Sequence, residues 1–105
     1  MKAVVSWWSL DKSEQTIVSL RQALQVEGVT PWEEVEGLRL KFWISDFTNN
    51  LWGAVTIWES DAAMKQLLPP NRAAELIGYP AAFRFSFDIE ASAGEKAILE
   101  LFNKR

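Results

Sequence analysis

The chain has 105 residues, 49% hydrophobic and 24% charged, with a formal net charge of −3 at neutral pH and its eleven Lys and Arg scattered, so it offers no footprint for a nucleic-acid backbone. That length makes one domain, which buries only about two-thirds of its unfolded surface, so six Trp and six Phe exceed what one small core needs and point to an interface or a ligand. With neither Cys nor His, disulfides, thiolate nucleophiles, ordinary zinc sites, proximal-His haem and His-based triads are excluded, and no metal or cofactor is expected.

The apolar start is too short for a signal-peptide core or a membrane span. With cysteine absent as well, the expectation is a cytoplasmic protein with no membrane partner. Residues 2–10, rich in Val, Trp and Ala, predict a strand, and Asp11 with Glu14 three positions on predicts a capping-box helix start. Ile17, Leu20 and Leu24 recur at helical spacing, and Gly28 ends the helix. The connector that follows holds Pro31 and a solvated acidic run, Glu33, Glu34 and Glu36. Trp32 within it either packs back over the helix or marks a contact surface.

From residue 38 the alternation is strict: Leu38, Leu40, Phe42 and Ile44 on one face, Arg39, Lys41, Trp43 and Ser45 on the other. Thr48, Asn49 and Asn50 predict a turn, and a second strand covers residues 52–59. Pairing Ile44 with Val55 and Phe42 with Ile57 matches apolar with apolar and leaves a loop at 48–51. That register sets Trp43 opposite Thr56 and Lys41 opposite Trp58, and makes Trp43 and Trp58 diagonal neighbours. Ser60 caps a helix over 62–68, which Pro69 and Pro70 break, and a further helical turn at 72–77 ends at Gly78. Phe83, Phe85, Phe87 and Ile89 then alternate with Arg84, Ser86, Asp88 and Glu90. A last helix starts at Ser92, with Glu95 in its capping box and Ile98, Leu101 and Phe102 as its stripe.

This order is the split βαβ pattern of an α+β, ferredoxin-like βαββαβ domain with an antiparallel sheet and a C-terminal helix, spanning 1–105. Two helices cover one sheet face, and the Leu38–Ile44, Val55/Ile57 and Phe83–Phe87 set predicts which. The other face carries Trp8, Arg39, Lys41, Trp43, Trp52, Thr56, Trp58, Arg84 and Ser86, and is too aromatic to leave in water. A homodimer is therefore expected, two sheets face to face, with Trp8, Arg39, Lys41, Trp52 and Thr56 at the seam.

Glu36-Gly37-Leu38, Lys41-Phe42-Trp43, the run from Gly53 to Ser60 leading into Ala62 to Leu68, Ile77-Gly78-Tyr79 and Phe87-Asp88-Ile89 together resemble the small monooxygenases of the dimeric α/β-barrel superfamily. These are relatives of the antibiotic-biosynthesis monooxygenases, and the resemblance spans most of residues 36–90. It implies a ferredoxin-like protomer, a face-to-face dimer forming a barrel, and cofactor-free oxidation of electron-rich aromatic or enolic compounds in a pocket within each subunit. That chemistry needs a substrate whose anion gives an electron to O₂, while the protein excludes water and stabilises the anion.

Available donors and bases are Tyr79, Arg39, Lys41, Arg84, Asp88 and the indole N–H groups; Trp43, Trp58, Tyr79 and Arg84 are the candidates to line the site. Each has a plainer reading: Lys41 as a cation–π partner of Trp58, Trp43 and Trp58 as interface packing, Arg84 paired with Asp88, with Glu90 or with the partner subunit, Tyr79 as a turn anchor. Two functions stand. One is a cofactor-independent monooxygenase for a small hydrophobic ligand, which needs a cavity of roughly 300 Å³ or more; the other is a non-catalytic homodimer that binds a small ligand or a protein.

Overall fold

The computed structural model describes residues 1–96 and residue 100, so the expected C-terminal stripe of Ile98, Leu101 and Phe102 lies outside the described residues. The elements run β1 (Lys2–Ser9), α1 (Ile17–Glu27), α2 (Thr30–Glu33), β2 (Leu38–Asp46), β3 (Leu51–Trp58), α3 (Asp61–Met64), α4 (Arg72–Ile77) and β4 (Phe83–Asp88). The strands form one open antiparallel sheet in the order β2-β3-β1-β4. The molecule is thus α+β, in an arrangement compatible with a ferredoxin-like fold. Among the described residues no helix is long and apolar enough to cross a membrane.

Local chemistry moves several boundaries. α1 starts later than the Asp11 signal predicts, because Thr16 is the N-cap: its hydroxyl accepts from the Ser19 amide at 3.0 Å, and Ser19 Oγ accepts from the Thr16 amide at 2.8 Å. Ser13 instead donates to the Ile77 carbonyl at 2.9 Å, which ties the turn before α1 to the end of α4. The connector contains α2, opened by Pro31. Ser60 does cap α3, accepting from the Ala63 amide at 3.2 Å, but that helix ends at Met64. Pro69 and Pro70 bar helical backbone from the residues before them, and α4 needs a new cap, Asn71.

The β2–β3 hairpin pairs Phe42 with Val55, Lys41 with Thr56 and Trp43 with Ala54, a shift of two residues from the expected register. The turn is the cause. The Asp46 carboxylate accepts from the Asn49 amide at 3.1 Å and its side-chain amide at 2.7 Å, Asn50 takes φ 55°, and the loop closes at Phe47 to Asn50. A two-residue shift keeps every side chain on its own face, but Trp43 and Trp58 are no longer diagonal neighbours. An irregularity at Arg39 also sets Leu38 opposite Trp58, taking it off the face of Leu40, Phe42 and Ile44.

The larger correction concerns which face is covered. Trp8, Trp52 and Trp58 are 3%, 5% and 2% exposed, and Trp8 and Trp52 pack with Leu10, Ile17, Leu20 and Ile77 under α1 and α4. The expected seam residues Trp8, Lys41, Trp52 and Thr56 therefore lie on the helix-covered face, and the other face, uncovered among the described residues, carries Phe42, Ile44, Phe85 and Phe87, from 36% to 55% exposed. The polar atoms of the indole face find partners once covered. Trp8 Nε1 donates to the Tyr79 carbonyl and Trp58 Nε1 to Thr56 Oγ1, both at 2.8 Å, so burying those rings leaves no donor orphaned.

The two central strands approach closely at Gly53, which faces Trp7 on β1 and Ile44 on β2. A Cβ there would collide with the Ser6 carbonyl oxygen and come within 3.0 Å of Trp7 Cβ. Gly53→Ala is expected to cost about 1–3 kcal/mol through forced backbone shifts, read as a fall in melting temperature by circular dichroism. Val26→Ala, at an 87% exposed position, should leave that temperature nearly unchanged.

Candidate functional site

A cavity of about 530 Å³ lies between the indole face of the sheet and the helices. Strand register explains its floor. One row across the sheet reads Arg84, Ser6, Ala54 and Trp43, and the next reads Ser86, Val4, Thr56 and Lys41. The small Ser6 and Ala54 make a trough at the centre, while Trp8 and Trp52 rise on one side and Trp58 on the other. Overhead, residues 65–71 are irregular chain broken by two prolines, so among the described residues no helix fills the trough. Trp32 of α2 and Leu24 of α1 complete the wall, and five of the six tryptophans border the space.

Lys41 reaches into this space from β2. Its Nζ lies 3.2 Å from the Trp32 ring centroid and 4.9 Å from that of Trp43. Burial pushes its ammonium down to about 8, because losing water penalises the charged form. The two indole faces act in the opposite sense and favour the cation. At the rim, Arg72 grips Glu27 through Nε at 3.1 and 3.2 Å and through Nη2 at 2.8 Å, and also bonds Glu75 at 2.8 Å. Hydrogen bonds from Arg72 hold the Glu27 carboxyl below its usual range and raise the guanidinium in turn. Among the described residues no group of His, Cys, Asp and Glu is arranged to hold a metal.

Of the four residues expected to line a site, Trp43, Trp58 and Arg84 border the cavity. Tyr79 does not: its hydroxyl donates to the Ser9 carbonyl and its own carbonyl accepts from Trp8, which makes it the anchor of the turn after α4. It borders a neighbouring cleft, which Arg84 shares. The cation–π partner of Lys41 is Trp32, with Trp43 behind it, rather than Trp58. Arg39 stands outside the main cavity, in a small adjoining cleft, with Nη2 3.6 Å from Glu59. Sequence reasoning missed Trp32, Glu27 and Arg72 as site residues, since the contacts that place them cross from one element to another.

No family model matches the chain, and no curated protein sequence does.

The Lys41 shift has a defined sign. Its folded value, about 8, lies below the ordinary 10.5, so between those values the unfolded chain binds more protons and stability rises with pH. The contribution is complete above the ordinary value and is lost as pH falls through about 8. Lys41→Met should flatten this part of the stability profile in denaturant titrations, and NMR of the wild-type Lys41 ε-methylene should show its midpoint near 8.

Proposed function

We propose that the chain is a ferredoxin-like protomer of a homodimer, and that its cavity binds a small planar aromatic or enolic compound and oxidises it with O₂ and no cofactor. The cavity carries this reading: about 530 Å³ bordered by five indoles exceeds the roughly 300 Å³ at which ring-sized ligands are commonly held. A ring seated there stacks on aromatic faces, and the exclusion of water strengthens any interaction with its oxygen atoms. For a ring methylene of the anthrone type, loss of a proton gives an anion that passes one electron to O₂. The two radicals combine at carbon, and the hydroperoxide loses water to leave a ring carbonyl. One oxygen atom enters the product and the other departs as water with the two ring hydrogens, so no external reductant is needed.

The dimer belongs to the uncovered face. Leaving the Phe42, Ile44, Phe85 and Phe87 patch in water is unfavourable, and packing two such faces together hides it and closes an α/β barrel, with one cavity per subunit outside the barrel interior. Both the fold and the dimer accord with the resemblance in the sequence.

Oxygen-electrode assays with hydroxyanthrone- and quinol-type compounds should show uptake above the buffer control. Binding without uptake would instead favour the alternative, a non-catalytic homodimeric ligand-binding module. Light scattering should give twice the chain mass for the wild type, and Phe42→Lys with Phe85→Lys should give a folded monomer; a monomeric wild type would remove the dimer.

A further inference from the structure

Lys41 is a cation in the wrong place unless something anionic comes to it. It is half-buried on the cavity floor, and among the described residues no carboxylate pairs with it. The charged groups nearby are engaged or set apart. Glu27 is held by Arg72, Arg39 lies 3.6 Å from Glu59, Glu33 is exposed on α2, and Arg84 sits on β4, at the far edge of the sheet in the neighbouring row. An ammonium withdrawn from water without a counter-charge is costly, and the Trp32 and Trp43 faces compensate only in part.

Resting on the cavity reading above, we propose that Lys41 selects the ligand: a planar aromatic with an acidic phenolic or enolic hydroxyl, bound as its oxyanion against Lys41 Nζ beside Trp32 and Trp43. The amine form of Lys41 takes the hydroxyl proton and the resulting ammonium stays against the oxyanion. One O–H bond breaks, one N–H bond forms, and nothing is oxidised. Burial places the lysine near 8, close enough to an acidic phenol for the proton to move readily in either direction near neutral pH. An arginine could hold the anion but could not accept the proton.

The test uses the full chain and three para-substituted nitrobenzenes: para-nitrophenol, whose anion is yellow; para-nitroanisole, which cannot ionise; and para-nitrobenzenesulfonate, which is always charged. Wild-type protein should bind the nitrophenol as its yellow anion at neutral pH, about tenfold or more tighter than the nitroanisole. Sulfonate binding should fall as pH rises through about 8. Lys41→Met should lose the anion spectrum and the preference while still binding nitroanisole, as tryptophan quenching will report, which shows that the cavity survives. Lys41→Arg should keep sulfonate binding but lose its fall near 8. The proposal is overturned if the nitrophenol is bound uncharged, if Lys41→Met holds the anion as well as wild type does, or if Arg84→Gln abolishes anion binding while Lys41→Met does not. Failure of all three probes to bind sinks the cavity reading along with it. Because nothing is turned over, an absence of O₂ uptake is a separate result.

Discussion

Trp8 and Trp52 stand directly opposite one another on the central strand pair, and covering that pair of rings governs the rest of the molecule. An indole buries roughly 150–250 Å², and this pair is covered from two helices: α1 supplies Ile17 and Leu20 while α4 supplies Ile77. The bond from Trp8 Nε1 to the Tyr79 carbonyl then pins the chain just after α4. With both helices committed to this end of the sheet, the trough over Ser6 and Ala54 is roofed, among the described residues, by irregular chain, and it stays open. The cavity is a by-product of where the largest side chains had to be buried.

The opposite face is organised in its own right. Trp7 and Phe83 stack across β1 and β4 with centroids 3.9 Å apart and planes within 2°, and Phe83, Phe85 and Phe87 continue the contact along β4 at 4.4 and 6.5 Å. Rings already ordered by their neighbours lose little further freedom when covered. A partner sheet would therefore meet a prearranged surface.

Much of this was legible in the sequence. Alternation of period two sorted side chains into two sets, and from Leu40 onward the β2 sets held even though the hairpin register moved by two, because parity is what alternation encodes. Leu38 changed face because of the irregularity at Arg39, which alternation does not encode. It could not say which set the helices would cover. The Phe and aliphatic set looked like the core because it lacks polar atoms. The indole set tolerates burial because Trp8 and Trp58 keep acceptors for their N–H groups, Thr56 Oγ1 two residues from Trp58 and the Tyr79 carbonyl, which only the folded chain brings to Trp8. Tyr79 as a turn anchor was readable from Gly78 before it and Pro80 after it. The meeting of Lys41 with Trp32 was not, since it depends on where a four-residue helix docks beside a strand.

In the Glu27–Arg72 fork both partners are partly exposed, where an ion pair competes with water and dissolved salt. Its two-pronged geometry, with Glu75 alongside, puts it at the upper end of what surface pairs contribute. A fastening of that strength orients the two rims without locking them. A visitor to the cavity would meet a threshold that ordinary thermal motion crosses, so exchange with the outside would be quick and residence time would be decided on the floor rather than at the door.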